Sequence, residues 1–459
     1  MRAGPGVPVG ARRATAADAS LTEIDGRPVS LFRLDGGKHR GAIGSAEGEV
    51  LARAVQLATD LRIPVVGVVA TSGADVEEGV AALHAWGGVA RALASASGVV
   101  PTVLVVIGPA VSGPALLLGL ADVVVLTRDA FAYVTAPDTI TAFTGVPIDR
   151  DSLGGIAVHQ RRSGVASLVV DDEDHAMEAV HDVLSFLPGS NLDDPPRLRS
   201  IDPVGRPCDD AARAVPGRAN AAYDVRTVVA DILDEASFLE LRPGYAANLV
   251  TGFGRLDGRV VGIVANQPAV RAGTIDVEAS EKGARFVQWC DTFNIPLLTV
   301  VDTPGFEPGR DLEWRGMIRH GAELVHAYAA ATVPRLSVVI RKAYGGAYIV
   351  MDSKTLGSDW CAAWPASEIA VVGATGAVEI LHGRNLAAID DFDARTAQLA
   401  ALEVEYAGNL LNPYRAAERG LIDEVVTPAE TRRALARALD QLVTKREMAN
   451  PRRHANSPL

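Results

Sequence analysis

Hydrophobic positions along this chain fall into two matching series. In one, Ile63-Pro64-Val65-Val66 leads to Thr71-Ser72-Gly73; in the other, Ile295-Pro296-Leu297-Leu298 leads to Thr303-Pro304-Gly305, with eight residues from isoleucine to threonine in both. A second apolar run follows in each, entered by Val100-Pro101 or Val333-Pro334. It ends in a small-residue turn, Ser112-Gly113-Pro114 or Gly345-Gly346-Ala347, with twelve residues from proline to central glycine both times. The offset between series stays at 232 to 233 residues. Four landmarks holding register over about 50 residues identify an internal repeat rather than two generic segments.

The flanking patterns agree. Ile24-Asp25-Gly26-Arg27 and Leu256-Asp257-Gly258-Arg259 sit between alternating apolar positions, and Asp-Gly readily takes positive φ, which predicts two hairpins. Helical periodicity follows each hairpin. Val50, Leu51, Val55, Leu57 and Ala58 give an apolar face to residues 47–61, and Ala284, Phe286, Val287 and Cys290 do so for 278–293. The predicted unit is hairpin, helix, buried strand, helix, buried strand, small-residue turn, helix, which makes an α/β layer. Residues 188–222 carry Pro188, Pro195, Pro196, Pro203, Pro207 and Pro216 and predict a linker, because proline removes donors and fixes φ. The expected organisation is a disordered tail over 1–19, a first domain over 20–187, the linker, a second domain over 223–445 and a tail over 446–459.

Composition narrows the function classes. The 459 residues are 48% hydrophobic and 22% charged, which excludes a mainly disordered, collagen-like or coiled-coil chain. A net charge of −12 argues against a broad nucleic-acid surface. Cys208, Cys290 and Cys361 cannot build a disulfide scaffold, and no CxxC or Cys/His cluster offers a metal site. The longest apolar runs, 99–107 and 115–126, fall short of the ~20 residues that span a bilayer. Arg2, Arg12 and Arg13 precede no apolar signal core, so the expectation is a soluble cytoplasmic protein.

Both small-residue turns place glycine where a buried strand should give way to a helix. Glycine admits a ligand close to the main chain, and the first N–H groups of a helix lack internal acceptors. Such a turn either binds an anion or oxyanion or is a plain tight connection. Side-chain signatures are missing: there is no GxxxxGK[ST] loop, no Rossmann fingerprint after Gly252-Phe253-Gly254, and no GxSxG elbow. His84, His320 and His326 lie in helical stretches and read as packing or surface residues.

Residues Arg341-Lys342-Ala343-Tyr344-Gly345-Gly346-Ala347-Tyr348-Ile349-Val350-Met351 resemble a motif of the carboxyltransferase (β) subunits of actinobacterial biotin-dependent acyl-CoA carboxylases, in the crotonase superfamily. Ala363-Trp364-Pro365, Glu368 to Ala374, Gly376 to Ile380, Glu281 to Phe286, Val301 to Phe306, Tyr223 to Arg226, Leu153-Gly154-Gly155, Ser163-Gly164-Val165 and Glu78-Gly79-Val80 extend the likeness over residues 20–445. The resemblance implies two tandem crotonase-like (ClpP/crotonase) domains in a ring-shaped hexamer, with each active site between the first domain of one subunit and the second of another. It implies carboxyl transfer from carboxybiotin, carried by a separate biotinylated α subunit, to the α-carbon of a short acyl-CoA such as acetyl-CoA or propionyl-CoA, with biotin N1′ taking the α-proton. Gly346 and Ala347 are then expected to hold the biotin ureido oxygen, with Tyr344 and Gly345 also binding cofactor, and Ser112 and Gly113 to hold the thioester enolate. Ile349 occupies the family's acyl-selecting position, or else is plain core. Lys38 and Arg40, with His39, either meet the CoA phosphates or form a solvated basic loop. No metal, nucleic acid or membrane is implied.

The first half departs from the family pattern. Asp75 stands where the family has arginine, and Ser112-Gly113-Pro114 stands for Gly-Gly-Ala. By the repeat Pro114 matches Ala347, and proline has no N–H to give. Three readings follow: an active carboxyltransferase with an altered first-domain hole; a divergent enzyme of other thioester chemistry, such as decarboxylation without biotin; or a non-catalytic subunit assembled with an active paralogue.

Overall fold

A computed structural model describes residues 7–8, 15–218, 220–445, 447, 456 and 458. The chain forms two compact units. One comprises Met1–Pro196, Leu241–Tyr245 and Thr292–Asn294; the other comprises Arg197–Glu240, Ala246–Asp291 and Ile295–Leu459.

The first unit is built on β1 (Val7–Pro8), β2 (Ala17–Ile24), β3 (Arg27–Leu34), β4 (Val65–Thr71), β5 (Thr102–Val111), β6 (Val123–Thr127), β7 (Phe131–Tyr133) and β8 (Leu168–Val170). Their order is β1-β2-β3-β4-β5-β6-β8, with β7 also on β5. Strands β1 to β3 pair antiparallel, and β3 onward pair parallel. Strand β4 reads VVGVVAT, an apolar run suited to a strand covered on both faces. Helices α1 (Ser45–Leu61) and α2 (Val80–Ala96) cover one face, placing Leu51, Val55, Ala58, Val89 and Leu93 against Phe32, Leu34 and Leu104. Each large aliphatic side chain removed from water contributes roughly 1.5–3 kcal/mol.

The second unit repeats this plan with β9 (Leu239–Leu241), β10 (Leu249–Leu256), β11 (Arg259–Asn266), β12 (Leu297–Thr303), β13 (Arg335–Tyr344), β14 (Trp360–Ala363), β15 (Glu368–Ala370) and β16 (Glu424–Val425). The order is β16-β14-β13-β12-β11-β10-β9, with β15 on β13. Helix Val277–Thr292 corresponds to α1 and buries Ala284, Phe286, Val287 and Cys290, its expected apolar face. Phe253 packs against Phe286 and Trp289, with ring centroids 5.4 and 4.9 Å away. Both hairpins form as expected. Asp25-Gly26 and Asp257-Gly258 have φ of 54°, 75°, 51° and 73°, and pairing resumes directly at Ile24↔Arg27 and Leu256↔Arg259.

Two expectations change. Strand structure reaches back into the expected tail: β1 (Val7–Pro8) pairs with β2, which starts at Ala17, and Ala16, Ala17 and Ala19 are buried. The proline-rich span 188–222 is more structured than its composition implies. Helix Asp209–Ala214 lies within it, and Cys208 and Ala211 are fully buried with Val225 and Val228. Proline excludes this segment from a sheet ladder, but charged side chains strap it down. Arg206 bonds Asp202 and Asp231, and fully buried Arg432 bonds Asp234 and the Ile232 and Asp202 carbonyls. Apart from residues 447, 456 and 458, the expected tail 446–459 lies outside the described residues.

One buried pair makes stability pH-dependent. Asp352, at φ 56°, is fully enclosed, and its Oδ1 accepts from Arg335 at 3.1 Å. Burial pushes its pKa up to about 7, against the pull of Arg335. The folded state therefore holds the proton more tightly than the unfolded chain, whose aspartate titrates near ~3.9. That stabilisation is complete below the unfolded value and is lost as pH rises through about 7. The unfolding midpoint is expected to fall between pH 5 and 8, and Asp352→Asn, which tolerates the left-handed backbone, is expected to flatten that slope in thermal melts at stepped pH.

Candidate active site

Strands β5 and β13 are irregular at the same place. Register runs Val69↔Val106 then Thr71↔Ala110 in the first unit, and Val301↔Val339 then Thr303↔Ala343 in the second, so β5 and β13 each carry two extra residues. Such bulges re-aim a strand. Each strand then turns a corner through one left-handed residue, Ser112 at φ 65° or Gly345 at φ 58°. Helical turns Gly113–Leu120 and Gly345–Val350 follow. Ser112 thus corresponds to Gly345, Gly113 to Gly346 and Pro114 to Ala347, as the sequence register requires.

Adjacent N–H groups do not both face outward at either corner. Gly346 is exposed, whereas Ala347 is 0% exposed and cannot present its N–H to a ligand. The equivalent Pro114 is buried too. Ser112 donates its N–H to Tyr133 O at 2.9 Å. Of the expected pairs Gly346/Ala347 and Ser112/Gly113, Gly346 is the more accessible member of the first, and Gly113 is the member of the second whose N–H is not given to Tyr133 O. Among the described residues neither N–H has an acceptor outside its own helix.

A second donor in each half comes from the turn after β4 or β12. Ile43 N–H donates to Gly73 O and Asp75 N–H to Ile43 O, leaving the Ala74 N–H between them without an acceptor among the described residues. Phe306 is its mate, flanked by Ile275 N–H on Gly305 O and Glu307 N–H on Ile275 O. These turns abut the corners. A Cβ on Gly73 would lie 2.9 Å from Ser112 Cβ, and one on Gly346 would lie 3.4 Å from the Phe306 ring. Sequence reasoning missed Ala74 and Phe306; the repeated Thr-x-Gly-x following the first strand of each series was the available signal.

The second corner is braced by charge. Asp302 is fully buried and accepts from Arg341 Nε at 2.8 Å, Tyr223 OH at 2.7 Å and Lys342 N at 3.2 Å. Arg341 also bonds the carbonyls of Arg218 and Ala221, and its guanidinium lies 4.8 Å over the Tyr223 ring. Burial lifts the Asp302 carboxyl above the usual range against the pull of Arg341, and it lowers the Lys342 ammonium. Arg341 and Lys342 are the bulged residues of β13; β5 has Gly108 and Pro109 there, and Ala70 stands for Asp302. The first corner lacks this brace.

The remaining expected residues distribute as follows. Tyr344 is half-buried, and its hydroxyl donates to Glu368 of β15, so it ties the corner to the sheet. Ile349 is 41% exposed, which is not a core position. Lys38 and Arg40 are exposed in a loop where His39, Arg40 and Gly41 have φ of 44°, 52° and 66°. Arg40 O accepts from Ser72 N, fastening this loop to the turn that carries Ala74. Arg271, which matches His39 in the repeat, is held by Asp276 and Glu307, while Lys38 and Arg40 have no ion-pair partner among the described residues. Two unneutralised cations beside the first corner suit a phosphate-bearing ligand. Among the described residues no His/Cys/Asp/Glu group is arranged to hold a metal ion, and no helix is long and apolar enough to cross a membrane.

The carboxyl transferase domain model matches residues 18–457. The chain is 44% identical over 446 residues to the propionyl-CoA carboxylase beta chain of Saccharopolyspora erythraea, covering 95% of this chain and 82% of that one. It is 39% identical over 437 residues to the methylmalonyl-CoA decarboxylase subunit alpha of Veillonella parvula, covering 95% and 84%. The crystal structure of hexameric transcarboxylase 12S with methylmalonyl-coenzyme A superposes with a TM-score of 0.94 at 38% identity, over 99% of this chain and 89% of that one. Both units have the crotonase-like fold of that structure, and the chain belongs to the carboxyl transferase family.

Proposed function

We propose that this chain is the carboxyltransferase subunit of a biotin-dependent acyl-CoA carboxylase, moving a carboxyl group from carboxybiotin on a separate biotinylated α subunit to the α-carbon of acetyl-CoA or propionyl-CoA. The observation that carries it is the duplicated corner: each half presents two main-chain N–H groups, from the corner and from the turn beside it, that have no acceptor outside their own helix or turn among the described residues. That donor set fits two carbonyl-type oxygens that gain charge during one transfer. In the first half, Gly113 and Ala74 N–H would hold the thioester oxygen and favour the enolate, while Lys38 and Arg40 would meet the CoA phosphates. In the second half, Gly346 and Phe306 N–H would hold the ureido oxygen. Carboxybiotin, when bound, supplies both the CO₂ and the base for the α-proton. Each preorganised donor would contribute about 3–4 kcal/mol to the transition state. Ile349, exposed and apolar, would border the acyl group. The working state is a homo-oligomer, as transcarboxylase 12S is a hexamer, or a hetero-oligomer with a paralogous β subunit, in the cytoplasm.

The test combines the chain with a biotinylated α subunit, ATP, bicarbonate and acetyl-CoA or propionyl-CoA, and reads malonyl-CoA or methylmalonyl-CoA by mass spectrometry. Product from either acceptor is the expected result. The 39% identity to a decarboxylase subunit favours one second reading, release of CO₂ from a malonyl-type thioester without ATP. Oligomers that yield no product in either direction would instead make this a non-catalytic partner of an active paralogue.

A further inference from the structure

The two corners are not chemically equal. Where the second has Gly345, the first has Ser112, a side-chain-bearing residue at φ 65°. That backbone region disfavours any residue with a Cβ, and strain of this kind survives where something depends on it. The Ser112 N–H is taken by Tyr133 O, and its carbonyl accepts from Ala115 N at 3.0 Å. The hydroxyl has no partner among the described residues, and Ser112 is exposed. Its position is fixed from the other side: a Cβ on Gly73 would lie 2.9 Å from Ser112 Cβ and 3.6 Å from its Oγ. In the second unit the same space is empty, with no atom within 4 Å of a Cβ on Gly305. The hydroxyl thus lies against the turn that carries the Ala74 N–H, on the residue directly before Gly113. The halves also differ behind the corner, where the second has Arg341 and Lys342 in its bulge and the first has only Gly108 and Pro109.

We propose that Ser112 is a catalytic residue of the first corner, its Oγ–H donating a third hydrogen bond to the thioester oxygen and offsetting the absence of the cations that back the other corner. This rests on the acyl-CoA reading above. The enolate oxygen carries a whole charge and can accept three donors, two peptide N–H groups and one hydroxyl. No proton leaves Ser112; the hydroxyl donates and keeps it.

The test uses the full chain and propionyl-CoA labelled with carbon-13 at its carbonyl. Infrared difference spectra report the carbonyl stretch of the bound thioester, which moves to lower frequency as donors are added, whether or not turnover occurs. The expected result is a clear downward shift for the parent protein, a smaller one for Ser112→Ala and Ser112→Gly, and an unchanged one for Pro114→Ala. With the α subunit present, Ser112→Ala is expected to lower kcat by ~10²-fold at nearly constant KM. Ser112→Gly suits the left-handed backbone and is expected to lose the same activity without lowering the melting temperature, which separates loss of the hydroxyl from loss of fold. A full carbonyl shift and parental kcat in Ser112→Ala would overturn the proposal. A parent protein that binds the thioester with a shifted carbonyl but transfers no carboxyl group would sink the carboxyltransferase reading and leave the hydroxyl's role decided by the spectra. A thioester that does not bind at all would sink both.

Discussion

Gly346→Pro is expected to cut carboxybiotin-dependent transfer by ~10²–10³-fold while leaving acyl-CoA binding intact. The substitution removes one N–H and adds a ring. The ring itself is tolerable: Gly346 lies in the first turn after the corner, and proline suits a helix start. Pro114, one position later in the equivalent turn, shows that this architecture accepts proline there. The added Cβ would find the Phe306 ring at 3.4 Å, ordinary contact distance. The preceding residue must leave the helical region before a proline, and Gly345 at φ 58° already does. What remains is loss of an exposed corner N–H that has no acceptor outside its own helix among the described residues, and single hole donors are worth about that factor. Single-turnover decay of carboxybiotin on the carrier reads the second half-site, and acyl-CoA titration reads the first. Parental decay kinetics would show that Gly346 N–H does not hold the ureido oxygen.

The sequence made the repeat legible because its register is carried by punctuation. Asp-Gly hairpins, Ile-Pro entries and glycine corners each require a backbone conformation that few residues supply, so they stay in step over 232 to 233 residues. The apolar faces of α1 and helix Val277–Thr292 were legible because period alone decides them. The N–H groups were not. Which peptide faces a ligand depends on burial, and nothing in the letters Gly-Gly-Ala says that Ala347 is sealed and Gly346 open. Nor does the sequence say that Ser112 N–H turns to Tyr133, because that bond depends on how β7 lies on β5. Nor does it say that Pro114, which matches Ala347, is itself buried. The span 188–222 failed in the opposite direction, since proline content excludes strands but says nothing of Arg206 and Arg432, whose partners come from elsewhere in the chain.

Arg341→Met should destabilise the second unit by roughly 3–5 kcal/mol, the usual cost of stranding one member of a buried ion pair. For a unit of this size that is a melting-temperature loss on the order of 6–20 °C. Asp302 would lose its Nε partner at 2.8 Å and keep only Tyr223 OH and Lys342 N. Those two neutral donors do not compensate a carboxylate that burial already lifts above its ordinary range with the arginine in place. Without the cation its pKa climbs further. A carboxyl whose folded-state pKa is raised contributes stability that is complete below the unfolded value and is lost as pH rises through the folded one. The deficit of Arg341→Met relative to the parent protein is therefore expected to grow as pH rises and to shrink as pH falls and Asp302 takes up a proton. Asp302→Asn, which removes the charge and keeps the shape, should cost less and show little of this slope. A deficit that is flat with pH would mean that Arg341 acts by packing on Tyr223 rather than by neutralising Asp302. Because Arg341 is a bulged residue four positions before Gly345, the same variant should also lower kcat, acting through the placement of the Gly346 N–H.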